Sequence, residues 1–421
     1  MLRRLEFLVP PLLKRIDRQL LLHRPGLWAT RLHYVAFYGS ILSLLMGLYT
    51  LIRPISLHSV PNPENYFALL LLPVAVGFGL WVYHLTFFRL EQFQGKNWRL
   101  NSLRDELLHL GVLASLISIP LMYGYQLSNR IDQTITESEL ARDINTLKVG
   151  SQLFKYGVQS PNDYRFTNME WYTTLHYGLE GEYFEYEVIQ KNLPYSSCKN
   201  RQLIEEFLFV FAKYTDFTIP LSSYEILEAY RDEQPLQIAD FAMYEQMLRE
   251  NISNLAQAKT RSFAIMDADF LKSLVFICFM LWLGLQAFLK TNWKSFLGAL
   301  IVGGLWSLSI ALTASILDAS FHIYPEKFVF MLMMAGLGFF LYQGYRQKNT
   351  KRTHQWKVIS LTLGTLMLPF APLIIGSFID SNIYGDAWFN ILFAGMGVSF
   401  ITWNLTLRSR FVDLMASPKE N

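Results

Sequence analysis

Long apolar runs separated by short polar stretches fill the first 127 and the last 150 or so residues of this 421-residue chain. Runs long enough to cross about 30 Å of hydrocarbon as helices lie at residues 34–52, 66–88, 107–127, 270–289, 296–317, 328–345, 358–379 and 387–407. The pattern predicts an all-α polytopic membrane protein with eight transmembrane helices, three followed by five.

Between them, residues 128–268 change character and read as a separate domain. The Thr136-Glu137-Ser138-Glu139 box precedes Leu140, Ile144 and Leu147 at helical spacing. A second helix is predicted over 199–214 with Leu203, Phe207 and Phe211 on one stripe, and Ser222-Ser223-Tyr224-Glu225 caps a third. A long fourth, from 238 to about 259, leads toward span four. Residues 182–189 mix aromatics with acids and read as a short strand, so the domain is mostly α with a small β element.

At the N-terminus, Pro11 suits a first helical position. Leu12, Leu13, Ile16 and Leu20 then share a face from which Lys14, Arg15 and Arg18 point away, until Pro25-Gly26 ends the pattern. This predicts an interfacial amphipathic helix over 11–23. The organisation is thus a basic arm (1–33), spans one to three (34–127), the polar domain (128–268), spans four to eight (269–407) and a tail (408–421).

Composition agrees with a bilayer as the principal partner: 52% of residues are hydrophobic and only 17% charged. The net charge of +3 excludes a broad basic surface for nucleic acid. That near-neutral mean is a cancellation, because residues 128–268 carry −8 and the rest +11. One set of short connecting segments holds 21 Lys or Arg, whereas the opposite set holds only Arg53 and Lys327. The positive-inside rule then places both termini in the cytoplasm and residues 128–268 outside it, in a plasma (inner) membrane. The first 33 residues lack an uninterrupted apolar stretch with a cleavage site, so no cleaved signal peptide is expected. Cys198 and Cys278 fall in different environments, and no disulfide is expected between them.

Trp28, Trp81, Trp293, Trp356 and Trp388 lie near predicted span ends, as headgroup anchors do, while Trp282 and Trp306 sit deeper and read as packing residues. Gly298-Ala299, Gly303-Gly304, Gly336, Gly338, Gly395 and Gly397 allow close helix approach. Pro73, Pro120, Pro369 and Pro372 should bend spans two, three and seven. The segment holding Pro369 and Pro372 is the best candidate for a broken helix in a transport path.

Catalytic signatures are sparse. Gln94-Gly95-Lys96-Asn97 lacks the upstream glycine and the hydroxyl of a Walker loop, and no His-Glu-x2-His, Cys-x2-Cys or Gly-x-Ser-x-Gly occurs. No cofactor and no metal are expected. The weak catalytic candidates are Asp318 and His322, four apart on one helical face, which could hold or move a proton. His84 and His109 lie in spans two and three and could face each other or headgroups. Asp267, Asp269 and Lys272 read as a polar collar of span four, and Asp105 and Glu106 as acids opening span three. In the polar domain, the Tyr, Trp and Phe residues crowded between 156 and 195 read as core, Glu180, Glu182, Glu185 and Glu187 as a solvated acidic face, and Asn251-Ile252-Ser253 matches a glycosylation sequon.

The basic amphipathic helix of residues 11–23, the Pro25-Gly26 turn, the Leu27-Trp28-Ala29-Thr30-Arg31-Leu32-His33-Tyr34 lead into span one and the helical loop of 89–106 together resemble the permease subunits of ATP-binding-cassette exporters. The resemblance is one of layout and covers about the first 110 residues. Eight spans and an insertion after span three depart from that family's six-span pattern. It implies a surface elbow helix, a separate ATP-binding-cassette ATPase as partner, a homodimeric transport unit, and a docking helix around Gln92, Lys96, Arg99, Arg104 and Asp105. Two other readings stand beside it: an envelope sensor or scaffold whose outer domain holds a partner, and an intramembrane enzyme on lipid or glycan using Asp318 and His322.

Overall fold

A computed structural model describes residues 9–87, 98–153, 198–231, 241–291, 293–321, 325–346, 351–379 and 386–416. In chain order the helices are α1 (Pro11–His23), α2 (Pro25–Ala29), α3 (Leu32–Ile52), α4 (Pro63–Phe87), α5 (Trp98–Asp132), α6 (Glu137–Leu153), α7 (Cys198–Thr215) and α8 (Ser223–Arg231). They continue as α9 (Phe241–Thr260), α10 (Ala268–Lys290), α11 (Trp293–Phe321), α12 (Pro325–Tyr345), α13 (Lys351–Met367), α14 (Ala371–Ile379), α15 (Asp386–Thr402) and α16 (Arg408–Ala416). Among the described residues there is no strand, and the β element expected at 182–189 lies outside them.

The described residues are helical throughout, as an all-α membrane protein requires. Seven segments of the described residues are long and apolar enough to cross a bilayer, and Val329–Tyr345 is a shorter apolar helix beside them. Helices α4 and α5 run through Pro73 and Pro120 without interruption. The segment around Pro369 does not: Leu368–Phe370 tightens into a 3-10 turn between α13 and α14, because the proline cannot donate to the ladder and crowds the turn before it.

The chain divides into two compact units. The first comprises Met1–Ser43, Leu72–Ile119 and Ala268–Asn421. Within it α11, α12 and α13 pack around Ala299, Phe340 and Leu363, with Trp306 and Ile359 against them. Small residues make this possible. A side chain begun at Gly364 would meet Leu341 at 2.6 Å, and one at Gly336 would meet Trp306 at 2.8 Å. Thr362 and Thr365, fully buried, return their hydroxyls to carbonyls one turn back at 2.8 and 2.7 Å. The tail expected from Arg408 onward is instead a helix, α16, with Phe411 and Leu414 buried on one face.

The second unit comprises Leu44–Leu71 and Pro120–Asp267. Of the expected stripes, Leu140, Ile144 and Leu147 of α6 and Phe207 and Phe211 of α7 are buried and Leu203 is half-buried, and Ile252 and Leu255 of α9 are buried as well. Ser222 and Glu225 form a reciprocal capping box, the Ser222 N–H donating to Glu225 Oε2 at 2.7 Å and the Glu225 N–H to Ser222 Oγ at 3.3 Å. Asn251 is buried and engaged at both ends: its Oδ1 accepts from the Val60 N–H at 2.9 Å and its Nδ2 donates to the Tyr214 carbonyl at 2.9 Å. The sequon match is therefore a structural asparagine, closed to glycosylation.

A polar clamp joins α6 to α7. Lys213 donates to Asp143 and to Glu139, and Tyr214 Oη donates to Asp143 Oδ2 at 2.9 Å. Burial alone would lower the Lys213 ammonium, but the two carboxylates hold it above its ordinary value. The bond from Lys213 holds Glu139 below the usual carboxylate range. A lowered acid stabilises above its unfolded value and loses that as pH falls through its folded one; a raised lysine stabilises below its unfolded value and loses that as pH rises. The clamp thus contributes across the neutral range and fades at both extremes. Lys213→Met, which leaves the buried Asp143 carboxylate with the Tyr214 hydroxyl but without this cation, is expected to cost about 1–3 kcal/mol at pH 7. The gap in melting temperature from the wild type should narrow below about pH 4, where free carboxylates protonate.

Candidate functional site

The first unit holds a string of buried polar side chains within its apolar helices, the arrangement that is costly in a bilayer unless every partner is met. It begins at α1. Asp17, the one acid of this basic helix, accepts on Oδ1 from Trp28 Nε1 at 2.8 Å and from Arg31 Nη1 at 2.9 Å. His33 Nε2 stands 2.8 Å from the same oxygen, and because a carboxylate only accepts, that nitrogen carries the ring proton. Arg31 also lies over the Trp28 ring, 4.0 Å from its centroid. Its φ of 54° is left-handed, a conformation costing a non-glycine residue about 1 kcal/mol or more. The carboxylate and the indole hold it there, where many helices would end on glycine.

From this clamp the string passes inward. Trp81 of α4 is buried and donates from Nε1 to the Thr30 carbonyl at 3.0 Å. Its ring meets the His109 ring edge-on at 5.5 Å. Trp81 is therefore a fixed buried donor and not a headgroup anchor, and Trp28 is bound to Asp17. Trp293, Trp356 and Trp388 do stay exposed. His109 of α5 takes Gln286 of α10 as partner, Nδ1 to Nε2 at 3.2 Å, both residues being buried. His84 instead stacks on Tyr34 with ring centroids 6.3 Å apart.

One helical turn before His109 lies the centre of the string, Glu106. Its carboxylate is 4% exposed and meets an Arg408 guanidinium that is 6% exposed, Oε1 to Nε at 3.4 Å. Trp403 Nε1 donates to Glu106 Oε2 at 3.2 Å, and Trp282 Nε1 donates to the Glu106 backbone carbonyl at 2.8 Å. Both indoles are fully buried. Helix α5 begins at Trp98, eight residues before Glu106, so Glu106 does not serve the helix N-terminus as its position in the sequence suggests. It joins α5 to α10 and to the C-terminal helix.

The backbone after α15 is shaped to deliver these partners. Trp403–Leu407 forms a π-helical turn, in which the Arg408 N–H donates to the Trp403 carbonyl five residues back. In a regular α-helix side chains five apart diverge by roughly 140°. The wider turn rotates Trp403 and Arg408 toward the same side, where one carboxylate meets both. Such single π turns inside α-helices occur frequently at functional sites.

Of the residues expected at a site, Pro369 lies within the 3-10 turn and Pro372 in the first turn of α14. Arg104 is exposed on α5, one turn before Leu108. Gln92, Lys96 and His322 lie outside the described residues, as do the side chains of Arg99, Asp105 and Asp318 and the segment 156–195. Asp17, Glu106 with Arg408, and Gln286 emerge from the structure. Among the described residues no three His, Cys, Asp or Glu side chains converge as metal ligands do. The site holds a buried ion pair and ties α5 to α10 and to the turn and helix after α15.

Comparison of the chain with protein-family models, with curated proteins and with solved structures finds no match.

Proposed function

We propose that the protein is the permease-like subunit of a transporter energised by a separate ATPase, with eight spans, both termini cytoplasmic, residues 128–268 outside, and two copies in the transport unit. The observation that carries the reading is the position of Glu106. Helix α5 extends about 12 Å, eight residues at 1.5 Å each, ahead of the span that starts at Glu106. The segment that leads into it, residues 92–105, is the proposed docking element. A push on that segment reaches Glu106 first, and Glu106 is tied to Arg408 and Trp403 on one side and to Trp282 on the other. Through His109 and Trp81 the same string reaches the Asp17 clamp that seats the elbow helix α1. Motion received at one place is thereby shared among α1, α5, α10 and α16, which is what a unit without a Walker loop of its own requires from an external motor.

The test is purification of the full-length protein from its native membrane under mild conditions. An ATP-binding-cassette ATPase is expected to accompany it, and scrambling residues 92–105 to release that partner while the permease stays folded. Recovery without any ATPase, or equal recovery with the scrambled segment, overturns the reading.

A further inference from the structure

We propose that the first unit carries a binding groove for one acyl chain of an anionic phospholipid, with the lipid phosphate on Arg104. The groove has a volume of about 450 Å³ and lies between the start of α3, at Leu32, and the face of α5 formed by Leu103, Leu107, Leu108 and Val112. That volume falls within the range of specific ligand sites. Its walls are aliphatic. Ser115, at the far end, uses its hydroxyl on the Val112 carbonyl at 2.9 Å, so the lining there presents little polarity to a chain.

Three observations select the occupant. The groove runs along α5 from Arg104 to Ser115, eleven residues and therefore roughly 16 Å. That is half of the roughly 30 Å hydrocarbon thickness, the depth of a single leaflet. The apolar span begins at Glu106, which sets the exposed Arg104 at the headgroup level and the leucines below it. Among the described residues of the lining Arg104 carries the charge, and its guanidinium is a fork matched to phosphate oxygens. In the sequence it follows the Lys and Arg of the arm and of the segment before α5, and on the cytoplasmic side proposed above such charge favours anionic over zwitterionic headgroups. Gly111 keeps the groove open: a side chain begun there meets nothing within 4 Å. A side chain begun at 111 would therefore enter open space at the groove, and a leucine there would compete with the acyl chain.

The proposal stands independently of the ATPase reading, since its readout is lipid and not turnover. Full-length protein is purified in detergent, incubated with equal amounts of phosphatidylglycerol and phosphatidylcholine of matched chains, and analysed by native mass spectrometry. The wild type is expected to retain one phosphatidylglycerol in preference to phosphatidylcholine. Arg104→Gln should lower phosphatidylglycerol retention by roughly tenfold, the value of one charge-assisted hydrogen bond, and abolish the preference, while Arg104→Lys restores part of it. Gly111→Leu should lower retention of both lipids together at an unchanged melting temperature. Equal retention of the two lipids by the wild type, or full retention by Gly111→Leu, overturns the assignment.

Discussion

Arg408→Met is expected to destabilise the protein by about 3–5 kcal/mol, the cost of removing one partner of a buried ion pair. Glu106 would keep the Trp403 bond, but a neutral donor does not replace a cation on a side chain that is 4% exposed. The reverse change, Glu106→Met, removes the carboxylate from the buried Arg408 guanidinium and should cost a similar amount. The double variant Glu106→Met with Arg408→Met should recover most of the loss, because a buried pair exchanged for well-packed apolar side chains is often nearly neutral. Cys278, a buried free thiol of α10, supplies the readout: in a Cys198→Ser background a thiol-reactive dye reports the temperature at which α10 opens. Additive losses in the double variant would show that the two residues do not act on each other. If the pair also relays motion, the double variant should fold well and still fail in transport, which separates stability from function.

Helix type and approximate placement were legible in this sequence because the bilayer imposes them. A run such as 270–289 has one stable solution in hydrocarbon, and the structure has α10 over Ala268–Lys290. The stripe of Leu140, Ile144 and Leu147 likewise declares its buried face. The site was less legible, and the reasons are physical. Glu106 sits where acids commonly decorate a helix start, and only the extension of α5 back to Trp98 changes its meaning. Arg408 counts as one more positive charge beyond a span until a π turn, which no hydrophobic period announces, rotates it toward a carboxylate 302 positions earlier in the chain. Asp17 did carry a signal: it is the single acid of a basic helix and falls four residues after the buried Leu13, on the face that ought to be apolar. A charge on the wrong face of an amphipathic helix is worth reading as a promised partner. The tryptophans mislead for the opposite reason, since an indole near a span end serves headgroups or a buried carbonyl equally well, and only packing tells Trp81 from Trp388.

Gly395→Ala should disrupt the membrane helices although it adds only one methyl group. A Cβ built at Gly395 of α15 would collide with the Pro369 carbonyl oxygen, and that oxygen is backbone with no rotamer to escape through. The contact follows from the broken helix. Pro369 prevents α13 from continuing, the chain tightens into the 3-10 turn Leu368–Phe370, and a carbonyl there approaches α15 where only glycine leaves room. Accommodating alanine requires α15 or the turn to shift, an overpacking cost of about 1–3 kcal/mol or more, passed on to the Trp403–Leu407 turn one helix length away and so to the partners of Glu106. Gly397, two residues on, is the internal control: a side chain there meets nothing within 4 Å, and Gly397→Ala should melt within a degree or two of the wild type. The comparison needs only expression level and melting temperature in detergent. Equal behaviour of the two alanine variants would mean that α15 does not rest on the Pro369 carbonyl. A loss confined to Gly395→Ala would make the Pro369 break a fixed packing element, held by the neighbouring helix.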